Sequence, residues 1–247
     1  VTKKITVMLD ARLIPLYQRA FPDMDFIPQN ARVSGIDAQI PLGSIGAQFI
    51  SKLDDIPKTR AEKFLAASLE RVEETQKFIN KKDGEFILGV SWASAAPRIG
   101  DHKSIALDEL RPILSMPGVR PVLLQYGDHQ KALMDYVFKY KQPFDMVPDL
   151  NLKDDMEGLA ALIESCDAVL TVSNATAHLA GALGKKTYLL DSNKLWFWNN
   201  RTTRQSLWYP SISVYPRTNV VTPWTEQVEQ IHKDMFATSD DYYAPIG

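Results

Sequence analysis

One short segment, residues 167–184, constrains the fold of this chain more than any other. It reads Asp-Ala-Val-Leu-Thr-Val-Ser-Asn-Ala-Thr-Ala-His-Leu-Ala-Gly-Ala-Leu-Gly, an apolar strand that runs into a helix with almost no loop. A direct passage from strand to helix is typical of the βα units that build parallel sheets. Ala177, Ala180, Gly181 and Gly184 give the helix a face of small residues, which lets it lie close to such a sheet.

The rest of the chain repeats this alternation of strands and helices. Strands are predicted over residues 5–9, 25–28, 86–92, 119–125, 167–173, 186–191 and 211–215. Helices are predicted over residues 12–21, 58–82, 107–116, 129–141, 155–166, 175–183 and at the C-terminal end. The pattern predicts an α/β protein with a Rossmann-like parallel sheet.

The longest helical pattern divides the chain into predicted domains. An apolar stripe that includes Leu65, Leu69 and Val72 favours a linker helix, which a glycine at position 84 ends. We therefore predict a partial N-terminal α/β domain at 1–57, a linker helix at 58–83, a complete Rossmann-like domain at 84–224, and a C-terminal helix and tail at 225–247.

Charge and composition exclude several classes of partner. The formal net charge is −2, which gives no general attraction to nucleic acid. No apolar run approaches the roughly 20 residues of a membrane-spanning helix. A single cysteine, Cys166, excludes an internal disulfide and fits a reducing cytoplasm, where we expect the protein to reside.

The chain also lacks the common cofactor and metal motifs. It contains no G-x-G-x-x-G and no Walker sequence, and its four histidines do not have zinc-ligand spacing. Asp23-Met24-Asp25 matches a D-x-D metal motif, but it follows a helix and precedes a strand, the wrong end for binding a metal-nucleotide complex. We expect neither a metal nor a cofactor.

The turn between the strand and the helix of residues 167–184 is a candidate anion site. Ser173, Asn174 and Thr176 can cap the helix and leave its first amides pointing outward. Amides at a helix N-terminus bind anions, and ligands of open α/β sheets bind at this edge. His178 lies four residues after Asn174, over the same end of the helix. The alternative stays open, because every βα unit needs a cap and a lone helical histidine is often structural.

Five sequence blocks in a fixed order resemble one family. They are residues 171–190 (Thr-Val-Ser-Asn-Ala-Thr-Ala-His-Leu-Ala-Gly-Ala-Leu-Gly-Lys-Lys-Thr-Tyr-Leu-Leu), 89–94 (Gly-Val-Ser-Trp-Ala-Ser), 102–105 (His-Lys-Ser-Ile), 123–127 (Leu-Leu-Gln-Tyr-Gly), and 196–198 (Trp-Phe-Trp) with 207–211 (Leu-Trp-Tyr-Pro-Ser). Together they resemble the heptosyltransferase-like, family 9-type glycosyltransferases of GT-B fold. The nearest likeness is to the bacterial branch that follows tetratricopeptide repeats, with a more distant similarity to O-linked N-acetylglucosamine transferases.

The resemblance implies a metal-independent, inverting glycosyltransferase with a nucleotide-sugar donor and a protein or glycan acceptor. It also implies that an upstream tetratricopeptide-repeat region is a partner. The residues implied to contact the donor diphosphate or sugar are Lys103, Ser104, Asn174, Ala175, Thr176 and His178. Those implied to contact the nucleoside are Gln125, Asp154 and Met156, and Ser91 and Trp92 are two further candidates.

Two features leave alternatives open. Asn174 stands where related heptosyltransferases often have an aspartate that contacts the sugar. The catalytic base of those enzymes follows the first strand of their first domain, which we expect to precede residue 1, so no catalytic residue is nominated. A non-catalytic nucleotide- or partner-binding module within a larger repeat protein is therefore the alternative. A sugar-nucleotide epimerase would need more acidic and histidine residues in its cleft.

Overall fold

The computed structural model describes residues 4–56, 61–96, 99–192, 198, 203–217, 219 and 221–236. Its strands are β1 (Thr6–Leu9), β2 (Asp25–Pro28), β3 (Phe86–Ser91), β4 (Val119–Leu123), β5 (Ala168–Val172), β6 (Thr187–Asp191) and β7 (Ile212–Pro216). Its α-helices are α1 (Ile14–Ala20), α2 (Leu42–Ile45), α3 (Leu69–Ile79), α4 (Gly100–Lys103), α5 (Arg111–Leu114), α6 (Gln130–Tyr140), α7 (Met156–Glu164), α8 (Ala175–Ala182) and α9 (Thr225–Phe236).

Five parallel strands form the main sheet in the order β4-β3-β5-β6-β7. Apolar residues cover both faces of this sheet. Along β3, Leu88 and Val90 belong to one core, shared with α5, α6 and α9, whereas Ile87 belongs to the other, shared with α7 and α8. Strands buried on both faces need nearly continuous apolar sequence, which β3 and β5 have. The predicted α/β class with a parallel sheet is confirmed.

The N-terminal residues form a smaller unit that packs against the main one. β1 and β2 pair in parallel, and Leu16 of α1 is fully buried in the core that α7 and α8 share. Arg12 Nη1 donates to Lys153 O at 2.7 Å, and Arg19 pairs with Glu157 at 3.0 Å. These contacts attach the N-terminal unit to the loop and the helix that precede β5.

The predicted linker helix is shorter than residues 58–83. Residues 61–68 are not helical, and α3 covers only Leu69–Ile79; residues 57–60 lie outside the described ranges. The N–H groups of Phe64 and Leu65 both donate to Ala182 O at 3.0 Å, at the end of α8. Leu65 is buried there, so its position in an apolar stripe reflects packing against α8 and not a helical turn.

The C-terminal part of the chain is described only in pieces. α9 ends at Phe236, and residues 237–247 of the predicted tail lie outside the described residues. Trp196, in one of the five blocks, also lies outside them. Within the described ranges, no helix combines the length and apolar character that crossing a membrane requires. The predicted domain boundaries stay a prediction.

Candidate functional site

Three neighbouring strands of the main sheet end at one polar cluster. Ser91 is the last residue of β3, Gln125 follows β4 and Asn174 follows β5. Because the strands are parallel and adjacent, their carboxyl ends meet at the same edge. All three side chains were nominated from the sequence, and the structure brings them into direct contact, with exposures of only 1%, 5% and 8%.

A continuous chain of hydrogen bonds links these side chains. Asn174 Nδ2 donates to Ser91 Oγ at 2.9 Å, and Ser91 Oγ donates onward to Gln125 Oε1 at 3.1 Å. Gln125 Oε1 also accepts from Ala93 N at 2.8 Å, at the start of the loop that follows β3. We call these three side chains the amide hub. The hub ties the ends of β3, β4 and β5 together and fixes the path of that loop.

The amide group of Asn174 is held at both of its ends by hydrogen bonds within the protein. Oδ1 accepts from Ala177 N at 3.2 Å, which caps α8, and it lies 3.3 Å from Thr171 Oγ1, whose one proton is shared with Val172 O at 3.1 Å. Nδ2 donates to Ser91 Oγ and to Ala93 O, the latter at 3.2 Å. An amide has two donors and two acceptor positions, so the geometry gives Asn174 the role of positioning the site. That it contacts a sugar stays a prediction.

The first two main-chain N–H groups of α8 have no acceptor within the helix, because a helix leaves its first donors unpaired. Within the described residues, the N–H groups of Ala175 and Thr176 have no protein acceptor. The Thr176 hydroxyl is buried and also has no partner there. Such N–H groups, together with the positive end of the helix dipole, are suited to binding a phosphate group.

His178 lies one turn further along α8 in an aromatic environment. Its ring stacks on Trp198 with centroids 4.4 Å apart, and its Nδ1 lies 3.3 Å from the Tyr209 hydroxyl. The Tyr209 ring can reach this place because position 181 is glycine: a Cβ on Gly181 would lie 2.4 Å from that ring. Trp198 is held in turn by a 2.9 Å bond from its Nε1 to Ser173 Oγ.

The charge state of His178 follows from this environment. Desolvation, with the positive charge of Lys103 as a smaller cause, lowers the pKa of His178 to about 4. His178 is therefore neutral at pH 7. Burial raises the pKa of Tyr209 to about 12, so its hydroxyl stays protonated and can donate to Nδ1. In that arrangement the imidazole carries its proton on Nε2, where it is a hydrogen-bond donor.

Lys103 lies at the end of a folded turn that follows β3. Ser104 Oγ closes this turn by donating to Gly100 O at 2.8 Å and accepting from Ser94 N at 3.1 Å. That Ser104 also contacts the donor stays a prediction. Lys103 is close enough to His178 to affect its pKa. None of the ion pairs among the described residues involves Lys103. The turn therefore brings to the same edge as α8 a cation that no carboxylate in the described ranges neutralises.

A pocket of about 360 Å³ opens beside the amide hub. Its wall includes Trp92, Gln125, Tyr126, His129, Asn151 and Lys153. Of the predicted nucleoside contacts, Gln125 and the further candidate Trp92 line this pocket. Asp154 and Met156 do not: Asp154 lies 3.9 Å from Arg12, and Met156 is buried in the core. In this part of the chain the pocket is lined by the four residues before Asp154, which are Leu150, Asn151, Leu152 and Lys153. That Asp154 and Met156 contact the nucleoside stays a prediction.

Most of the lining residues were not nominated from the sequence, among them Tyr126 and His129. Tyr126 directly follows Gln125 in the block at 123–127, so its position was a usable signal. His129 precedes α6, and its ring meets that of Trp92 edge-on with centroids 6.1 Å apart. No group of three or more acidic, cysteine or histidine residues in the described ranges could hold a metal ion.

Comparisons with known proteins give few matches. No family model matches the chain. The Caulobacter vibrioides protein FlbA is 27% identical over 229 residues, which cover 85% of this chain but only 37% of FlbA. The chain therefore spans well under half the length of that curated relative.

Two solved structures resemble the described fold. A glycosyl transferase family 9 protein from Veillonella parvula matches with a TM-score of 0.47 and 15% identity, covering 74% of this chain and 49% of that protein. The ADP-heptose lipopolysaccharide heptosyltransferase II of E. coli matches with a TM-score of 0.46 and 16% identity, covering 69% of this chain and 54% of that protein.

Proposed function

We propose that this chain is the donor-binding part of a glycosyltransferase that uses a nucleotide sugar. The observation that supports the proposal is that several groups suited to binding a phosphate lie at one edge of the main sheet. The N–H groups of Ala175 and Thr176, the cation Lys103 and the neutral imidazole of His178 meet there, beside a pocket with aromatic walls. A nucleoside diphosphate presents an anion and an adjoining aromatic base, which is the complement of this arrangement.

The proposed placement follows from the chemistry of each part. The diphosphate lies at the N-terminus of α8, where main-chain N–H groups and Lys103 neutralise it. The base lies in the pocket between Trp92 and the loop that carries Lys153. Lys153 O accepts from Arg12, so the N-terminal unit supports the wall of this pocket.

The charge on the diphosphate explains how this edge of the main sheet would promote transfer of the sugar. When the bond between the anomeric carbon and the diphosphate breaks, negative charge builds up on the leaving phosphate oxygen. Fixed N–H groups and a cation aimed at that oxygen stabilise this charge more than that of the intact donor, and this lowers the barrier. An acceptor hydroxyl, of a protein or a glycan, would attack the anomeric carbon from the opposite side. Its proton would pass to water as the nucleoside diphosphate leaves, and the configuration of the anomeric carbon would be inverted.

The amide hub favours a second candidate, a module that binds a nucleotide without transferring a sugar. Asn174 occupies the position that often holds a sugar-contacting aspartate in the resembling enzymes, yet its two amide protons go to Ser91 and Ala93 and its oxygen accepts from Ala177 N. Such a module would bind nucleoside diphosphates as tightly as their sugar conjugates. A transferase would bind at least one conjugate more tightly than the matching diphosphate.

Isothermal titration of UDP-, ADP-, GDP- and CMP-sugars, and of the free nucleotides, tests both candidates. We expect one base to be preferred and the affinity to be unchanged when EDTA replaces Mg²⁺, because N–H groups and Lys103 supply the neutralisation. If no nucleotide or nucleotide sugar binds, both candidates are wrong.

Proton uptake shows whether the ligand lies beside His178. An anion there raises the low pKa of His178, so at pH 5 binding takes up a fraction of a proton and affinity rises from pH 7 to pH 5. Protonation of the ligand's phosphate also contributes to the proton uptake. The uptake is therefore compared between the wild type and His178→Ala, and the difference belongs to His178. Equal proton uptake in the two proteins would place the ligand elsewhere.

A further inference from the structure

Arg217 is a buried cation that the sequence did not single out. It directly follows β7, at the same edge of the main sheet as the amide hub, and it is only 7% exposed. Its guanidinium lies over the ring of Trp224, with the central carbon 4.2 Å from the ring centroid. None of the ion pairs among the described residues includes Arg217.

The guanidinium instead holds two main-chain carbonyls. Nη1 donates to Thr222 O at 2.9 Å, and Nη2 donates to His102 O at 2.8 Å, 115 positions away in the chain. Its Nε is buried without a partner among the described residues. Burial lowers the pKa of Arg217, which Glu109 partly opposes. A buried cation without a paired carboxylate destabilises the folded protein. Holding two carbonyls of a turn does not by itself require such a residue.

The turn that Arg217 holds is the one that presents Lys103. His102 O belongs to the peptide group that joins His102 to Lys103. On the other side of Lys103, Trp224 Nε1 donates to Ser104 O at 3.2 Å. Residues of the segment after β7 thus hydrogen-bond to the main-chain carbonyls of the residues immediately before and immediately after Lys103. A lysine has a long flexible side chain, so its reach depends on where its main chain is held.

We propose that Arg217 is a positioning residue that aims Lys103 at the N-terminus of α8. This inference rests on the proposed function, because Lys103 matters only if an anion binds there. The planar fork of the guanidinium can bond two carbonyls at once, whereas a lysine ammonium at the same place keeps the charge but loses that geometry. The geometry of Arg217, and not its charge alone, sets the affinity for the diphosphate.

A double-mutant cycle between Arg217→Lys and Lys103→Ala tests the inference. The probe is whichever of ADP, GDP and UDP binds the wild type most tightly, titrated calorimetrically. We expect Arg217→Lys to raise Kd about tenfold in the wild type, and less than about twofold when Lys103 is already alanine. Arg120→Lys is the matched control. Arg120 also makes forked contacts, to Glu85 and Asp145, but it lies near the opposite end of β4.

Each outcome of this cycle decides the inference. A tenfold loss in both backgrounds would show that Arg217 acts independently of Lys103 and overturn it. So would an unchanged Kd in a folded Arg217→Lys protein while Lys103→Ala still weakens binding, which leaves the proposed function intact. If the wild type binds none of the three diphosphates, this inference is wrong, and the proposed function falls with it if no nucleotide sugar binds either. If Arg217→Lys does not fold, Arg217→Gln replaces it, because a neutral amide keeps one donor for His102 O without a buried charge.

Discussion

Asn174→Asp is expected to destabilise the protein by about 3 kcal/mol at pH 7, a fall in melting temperature of roughly 10 °C. The substitution hardly changes the size of the side chain and keeps the oxygen that caps Ala177 N. It removes both donors, however, so that a nearly buried carboxylate faces Ala93 O at the present distance of 3.2 Å. Burial and that carbonyl both disfavour the charged form. Chemical denaturation of the variant and the wild type measures the difference.

The stability of Asn174→Asp should also depend on pH in a direction that misfolding alone would not produce. The buried aspartate would have a pKa above its unfolded value, so its protonated form is favoured in the folded state. The variant should therefore come closest to wild-type stability below the unfolded pKa and lose stability as the pH rises through the folded pKa. Asn30→Asp, at an exposed position, is the control and should change stability by less than about 0.5 kcal/mol. A stable Asn174→Asp protein at pH 7 would contradict the described role of the amide hub.

Lys103→Ala is expected to raise the Kd for a nucleoside diphosphate by about 10- to 100-fold and to leave the melting temperature within about 1 °C. The affinity change is the loss of one charge-assisted contact with phosphate. The melting temperature should stay nearly unchanged, because none of the described ion pairs includes Lys103 and no carboxylate in them loses its partner. Calorimetric titration and thermal unfolding of the same preparation measure both quantities.

Lys131→Ala is the matched control for this variant. Lys131 pairs with Asp135 on the exposed side of α6, and its side chain is 89% exposed. Exposed pairs of this kind contribute little, so this variant should change neither affinity nor stability appreciably. If Lys103→Ala lowers the melting temperature substantially and leaves Kd unchanged, Lys103 is structural and the diphosphate does not lie at this edge.

The sequence predicted the sheet well because its strands have a local signature. β3 and β5 are short runs of mostly apolar residues, and their positions along the chain could be read directly. The linker helix could not be bounded in this way. Residues 61–68 continue the helical pattern, but the decisive bonds are those from Phe64 and Leu65 to Ala182, which local periodicity does not reveal.

The members of the candidate site could be named from the sequence, but not their roles. Asn174 and Ser91 are 83 positions apart, and only the folded chain shows that one donates to the other. The resemblance suggested that Asn174 faces the sugar, whereas its amide is satisfied within the protein. Arg217 gave no signal, because a single arginine after a strand is indistinguishable from a solvated one until its contact with His102 O is seen.

The amide resonances of Ala175 and Thr176 test the central claim most directly. In ¹⁵N-labelled protein, adding the best-bound of ADP, GDP and UDP should shift these two resonances more than those of the remaining α8 amides, because a phosphate oxygen accepts from both N–H groups. The shifts should shrink in Lys103→Ala at the same ligand concentration. A ligand that binds and leaves both resonances unchanged would show that the N-terminus of α8 is not the diphosphate site.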